Sequence, residues 1–211
     1  MPILPQEQDI WPLDLLGSDL VSIESHTEVE TTAPDQRSAA ENTSDADPDD
    51  PSNWWALYTL ARFEKKLMRQ LLDEQIPFFG PTIACRRRSP QGRIRVTYEP
   101  LFPNYVFIRG NQETRYQAVC TGSVSRWMPV PNPFELVTDL RQVRQLILTG
   151  APLAPERRLE PGQKVRVKSG AFKGFEGTII RREKEVRLLV YVRYMGQGAS
   201  VALDDCQLEA L

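Results

Sequence analysis

Few side chains in this sequence are of a type that performs catalysis, and they are badly spaced for it. The single histidine, His26, lies in a stretch rich in Asp, Glu, Ser and Thr. Cys85, Cys120 and Cys206 are far apart, so there is no CxxC pair for zinc and no ordered histidine to activate a thiol. No Gly-x-Ser-x-Gly elbow occurs, and Asp204-Asp205 reads as a surface pair. The expectation is a protein that is not an enzyme and uses no metal and no cofactor. The sparse, odd set of cysteines fits a reducing cytoplasm better than a disulfide scaffold.

The chemistry that the sequence does supply is binding. Arg86, Arg87, Arg88, Arg93 and Arg95 flank Ser89-Pro90-Gln91-Gly92, whose second-position proline and fourth-position glycine suit a type I turn. A basic hairpin over Thr82–Tyr98 follows. Its arginines can grip phosphates with a strong salt dependence, or merely keep a loop soluble. Arg62, Lys65, Lys66 and Arg69 pose the same choice, with a solvated helix face as the default. A second pattern is Glu99–Ile108, EPLFPNYVFI. Two prolines impose an extended approach. Tyr105 and Phe107 then share one face of a strand, and Val106 and Ile108 the other. One reading exposes an aromatic patch for a partner; the other buries both faces, and the pattern alone weighs them equally. A third pattern is Gly162–Ile179, GQKVRVKSGAFKGFEGTI, with Lys164, Arg166 and Lys168 on one strand face. Gly170, Gly174 and Gly177 follow in a turn that lacks the GxxxxGK[ST] of a phosphate loop.

The elements that position these residues fall into four stretches of the 211-residue chain. Residues 1–52 carry 13 acidic side chains and one base, Arg37, whereas residues 53–211 carry 15 acids and 25 bases. A cationic body with an acidic tail suggests an anionic partner, nucleic acid first. The tail is expected to be disordered, and Ile10–Ile23 within it reads as incidental hydrophobes in preference to a docking peptide. Residues 53–150 read as an α+β domain. It has a first strand Trp54–Thr59, a helix with Phe63, Leu67 and Leu71 in stripe, the hairpin, the strand Tyr105–Arg109, a short helix over Gln112–Thr121 and a strand Val124–Val130. Trp127 and Met128 there read as core. A last helix is expected from a Thr138 cap to Thr149, stopped by Gly150. Residues 151–158, with two prolines, read as a linker. Residues 159–211 read as a small closed β-barrel. No apolar run approaches the roughly 20 residues of a membrane helix.

Together these motifs resemble the NusG family of bacterial transcription elongation factors, over about residues 53–211. WWALYTLARFEKKLMRQL is similar to the family's opening strand and helix, EPLFPNYVFI to its central strand, and Pro161–Ile179 to the KOW motif of its C-terminal SH3-like barrel. The central strand resembles most the RfaH-like specialised branch. Housekeeping members more often have a phenylalanine pair before Pro-Gly-Tyr. The resemblance implies binding to the clamp helices of the RNA polymerase β′ subunit through Phe102, Tyr105 and Phe107, which favours exposed rings. It implies contact of Arg62, Lys65, Arg115 and Arg126 with the non-template DNA strand, and of Asn111–Tyr116 with the β subunit. The loop Phe172, Lys173, Gly174 and Phe175 would recruit a ribosomal protein or Rho. The expected protein is a cytoplasmic, monomeric antitermination factor, not bound to membrane. The alternatives are a housekeeping NusG or a ribosome- or RNA-binding KOW protein. Since some members of the branch switch their C-terminal fold, the local sequence matters. Val186–Val192 alternates, and six glycines between positions 162 and 198 would each cost a helix about 1 kcal/mol, so a tethered, free β module is expected.

Overall fold

A computed structural model describes residues 7–17, 49–88, 92–156, 162–170, 172–182, 185–203 and 208–210. The proposed turn residues 89–91, His26, Cys206 and the acidic pair 204–205 lie outside these. Among the described residues no helix is long and apolar enough to cross a membrane, and no group of His, Cys, Asp and Glu could hold a metal ion.

The N-terminal domain is a five-stranded antiparallel sheet with helices on both faces. Its strands are β1 (Ile10–Trp11), β2 (Trp54–Thr59), β3 (Phe78–Phe79), β6 (Tyr105–Arg109) and β7 (Val124–Pro129), in the order β1-β3-β6-β2-β7. The expected hairpin is present as a separate ribbon, β4 (Thr82–Arg88) with β5 (Ile94–Pro100). Strand alternation divides the sheet residues between two cores. Trp55, Leu57, Val106, Ile108 and Phe78 pack with Leu67, Met68 and Leu71 of α1 (Glu64–Asp73) and Ala118 of α2 (Gln112–Cys120). Trp54, Ala56, Phe107 and Phe79 pack on the other side with Leu136, Leu140 and Val143 of α3 (Pro133–Leu148).

Helix α3 starts five residues before the expected Thr138. Asn132 caps it, its Oδ1 accepting from the Glu135 amide at 3.1 Å, and Pro133 fills the first turn. Thr138 instead donates back to the Phe134 carbonyl at 2.9 Å from within the helix. Gly150, at φ 70°, closes the helix as expected.

The C-terminal β module is one six-stranded sheet. Its strands are β8 (Leu153–Glu156), β9 (Gln163–Val167), β10 (Glu176–Arg182), β11 (Glu185–Val192), β12 (Gln197–Ala202) and β13 (Leu208–Ala210), ordered β13-β9-β10-β11-β12-β8. The strand expectation for Val186–Val192 holds, with Leu188, Val190 and Val192 buried. A Cβ at Gly177 would stand 2.4 Å from the Leu189 carbonyl oxygen, so that strand crossing needs glycine.

Two boundaries differ from expectation. The stretch 151–158 is expected to be a linker, yet its residues 153–156 are β8, paired with β12. Pro155 is tolerated because β8 lies at the sheet edge, where a missing N–H breaks no central ladder. Ile10–Ile23 is expected to be incidental hydrophobes in a disordered tail, yet residues 7–17 are docked: Ile10 pairs with Phe79 and Trp11 with Phe78, and Leu15 and Leu16 are buried. Nor is the β module free. It rests on α3, where Arg193 meets Asp139 at 2.8 Å and Glu135 at 2.6 Å.

Candidate functional site

The segment before β6 is locked from three sides. The Leu101 amide donates to the Pro81 carbonyl at 2.8 Å, the Asn104 amide to Glu64 Oε1 at 2.8 Å, and the Thr59 amide to the Asn104 carbonyl at 2.8 Å. Asn104 sits at φ 67°, a left-handed position that Asn and Gly accept most readily.

This frame presents Tyr105 beside Tyr58, ring edge to face at 5.2 Å, with the Arg126 guanidinium 5.8 Å over the Tyr58 ring. The expectation of three exposed rings is corrected. Phe102 and Phe107 are 1% and 0% exposed, and Tyr105 alone is half-buried. The cover over this face comes from α3, from the β module and from Ile10, Leu15 and Leu16 near the N-terminus. Tyr194, in the 3-10 turn Arg193–Met195, donates its hydroxyl to the Pro129 carbonyl at 3.0 Å. Burial pushes its phenol pKa up and Tyr105 nearby adds to this, while Arg126 opposes it.

The opposite side of β7 carries a second cluster. Trp127 stands opposite Leu57 and meets Trp55 edge-on at 5.6 Å, and Arg115 stacks over Trp127 at 4.1 Å and over Trp55 at 5.5 Å. Trp127 was read as core, but it is 41% exposed. The signal was available in its alternation on an edge strand. Arg62 is exposed at φ 66° ahead of α1, and Lys65 is half-buried on that helix. The predicted nucleic-acid residues therefore fall into separate groups: Arg62 with Lys65, Arg115 with Trp127, and Arg126 on the Tyr58 side.

Arg86, Arg87 and Arg88 form a fourth group, exposed on the β4–β5 ribbon, where Arg87 pairs with Glu99 at 2.7 Å. Beside them, burial and Glu99 push the Cys85 thiol pKa up, away from a reactive thiolate. In the β module, Phe172 and Phe175 pack edge-to-face at 6.3 Å. Phe172 is buried and anchors the loop, so Lys173, Gly174 and half-buried Phe175 are what it presents outward. Gly174 holds φ 91° at the tip, with open space around it. Asp139, Arg193, Tyr58 and Tyr194 escaped the sequence reading because their partners lie 47 to 65 residues away.

Comparison with known proteins assigns this architecture. Residues 52–154 match the family described as transcription termination factor NusG, and residues 161–193 match the KOW motif. The transcription termination/antitermination protein NusG of Thermus thermophilus is 30% identical over 180 residues, covering 74% of this chain and 96% of the relative. The chain belongs to the NusG family. The NusG of Pseudomonas aeruginosa is 26% identical over 175 residues, covering 74% of this chain and 97% of the relative. A crystal structure of the MjSpt4:Spt5 complex aligns over 75% of this chain and 97% of its own, at 16% identity and a TM-score of 0.26. As a NusG-family member, the chain pairs the family's α+β domain with a KOW β module and falls among transcription termination/antitermination factors.

Proposed function

We propose that this NusG-family protein binds RNA polymerase at the β′ clamp helices through the face that carries Tyr105, and suppresses pausing or termination. The observation that carries this reading is the Tyr58–Tyr105–Arg126 cluster: two tyrosine rings and an exposed guanidinium on one sheet face. Tyrosine and arginine are, with tryptophan, the residues most enriched at protein hot spots. Phe102 and Phe107 support Tyr105 from beneath and do not make the contact themselves. Tyr194 and Tyr105 pack against the same core and Tyr194 bonds the Pro129 carbonyl of β7, so polymerase binding on this face would require the β module to move away.

Arg62, Lys65, Arg115 and Arg126 would meet the non-template DNA strand. Trp127, with Arg115 stacked on it, adds a ring on which an unpaired base can lie. Arg86, Arg87 and Arg88 would add phosphate contacts from the ribbon, and Asn111–Tyr116 would approach the β subunit. The released KOW module would recruit a ribosomal protein or Rho through Lys173, Gly174 and Phe175. The sequence Leu101-Phe102-Pro103-Asn104-Tyr105 supports a specialised factor over a housekeeping one, acting as a monomer in the cytoplasm.

Co-purification of the full chain with core RNA polymerase at moderate salt tests the reading. Polymerase should be retained by the wild type and lost with Tyr105→Ala. Retention of ribosomes or RNA without polymerase would favour the ribosome- or RNA-binding alternative.

A further inference from the structure

The docked segment 7–17 is built like a bound peptide. Its strand β1 extends the sheet by pairing with β3, and the Gly80 amide donates to the Asp9 carbonyl at 2.8 Å. Asp9 Oδ2 accepts from the Thr82 amide at 3.3 Å and the Thr82 hydroxyl at 3.2 Å. The chain then turns, with the Leu15 amide donating to the Pro12 carbonyl at 3.1 Å. Ile10, Leu15 and Leu16 are buried at 3%, 3% and 2% exposure, while Leu13 between them is 69% exposed. Two side chains of α3 hold the main chain: Arg144 Nη1 donates to the Leu13 carbonyl at 2.7 Å, and Arg141 Nε to the Leu16 carbonyl at 2.9 Å.

We infer that the edge of β3 and the adjoining flank of α3 form a peptide-binding groove, and that residues 7–17 are its resident ligand, displaceable by a partner segment of the same chemistry. That chemistry is a short extended stretch with an aliphatic residue paired to β3, then a turn that places two adjacent aliphatic residues five and six positions later. Strand addition at a sheet edge takes affinity from the main chain and specificity from pockets, and both parts are present here. The arginines read main-chain carbonyls of the turn, which a ligand of any sequence that turns there offers. The groove also lies on the flank of α3 opposite the one that holds Arg193, so its occupancy leaves the β-module contact intact. The tether favours the resident ligand. Residues 18–48 connect it to the domain, yet Pro51 lines the same cavity, of about 400 Å³, as Pro12, Asp14 and Leu15. Ends that meet in this way give a tethered ligand an effective concentration of about millimolar order.

The test uses the full chain with a protease recognition sequence inserted after Ala33, and a fluorescent peptide of residues 7–17. After cleavage, the labelled peptide should exchange with the resident fragment while the remainder keeps its circular dichroism. The uncleaved chain should bind the peptide about tenfold more weakly, since the tethered ligand competes. A labelled peptide carrying Leu15→Asp and Leu16→Asp should not bind. Combining Arg141→Ala with Arg144→Ala in the cleaved protein should weaken peptide binding about tenfold without shifting the denaturant midpoint of the peptide-free remainder. The inference is overturned if the fragment leaves only when the remainder unfolds, if cleaved and uncleaved chains bind equally, or if the double arginine variant binds as the parent does. It does not depend on polymerase binding, and none of these readouts involves polymerase.

Discussion

The two faces of the N-terminal sheet are built from different reaches of the chain. On one face, Trp55, Leu57, Phe78, Val106 and Ile108 are covered by α1 and α2, which are threaded between the same strands. On the other, Trp54, Phe79, Phe102 and Phe107 are covered by α3, by residues of the C-terminal module and by Ile10, Leu15 and Leu16 from the far N-terminus. The first face is closed by its own neighbours. The second is closed by α3, which follows β7, and by two parts from the far ends of the chain, the β module and residues 7–17, which the proposals above treat as exchangeable. Burial alone does not distinguish them, since Phe78 and Phe107 are both 0% exposed. What differs is how far along the chain the cover comes from and, on the proposals above, whether it is exchangeable.

The largest effect should come from the closed face. Phe78→Ala should cost about 3–5 kcal/mol of N-terminal-domain stability by denaturant titration, from lost transfer energy and the cavity left behind. A cost below about 1 kcal/mol would break the comparison, because the supposedly permanent core would then be replaceable. On the exchangeable face, Tyr105→Ala should weaken polymerase binding by about 2 kcal/mol or more while leaving the fold intact. Wild-type affinity in the folded variant would remove Tyr105 from the contact.

Arg193→Ala should have a smaller effect. It removes the partner of buried Asp139 and of Glu135, but Arg193 is itself 46% exposed, so solvent screens the pair. A loss of about 1–2 kcal/mol in docking of the β module is expected, with both halves still folded. Spin relaxation should show the two halves tumbling separately; a single tumbling time would mean that other contacts hold the module. The smallest effect per residue belongs to the ribbon. Each of Arg86→Ala, Arg87→Ala and Arg88→Ala should lower the slope of log affinity for DNA against log salt by about 1, if that side chain meets a phosphate. An unchanged slope would assign those arginines to solvent.

The same contrast explains what was legible in the sequence. The strands β2 and β6, the helix α1 and the alternating strands of the C-terminal module were all visible, because their periodicity is local. The two-residue strands β1 and β3 were not, because two residues carry no period. The start of α3 was readable from Asn132-Pro133, a cap followed by a first-turn proline, but Thr138 drew the boundary instead. The prolines of 151–158 argued for a linker, when an edge strand accommodates them equally well. The aromatic spacing of Tyr105 and Phe107 was legible, but their exposure was not. Exposure depends on α3 and the β module, and no local pattern announces a cover that arrives from so far along the chain. Trp127 shows the converse: a large apolar residue suggested core, and an edge strand left it 41% exposed.

The most direct test of an exchangeable face is hydrogen–deuterium exchange on the full chain with and without core RNA polymerase. The account predicts that polymerase protects β6 and β7 around Tyr105 and Arg126 and, in the same sample, deprotects the Arg193–Met195 turn and the adjoining end of β11. Protection confined to other surfaces, with the Arg193–Met195 turn unchanged, would contradict it.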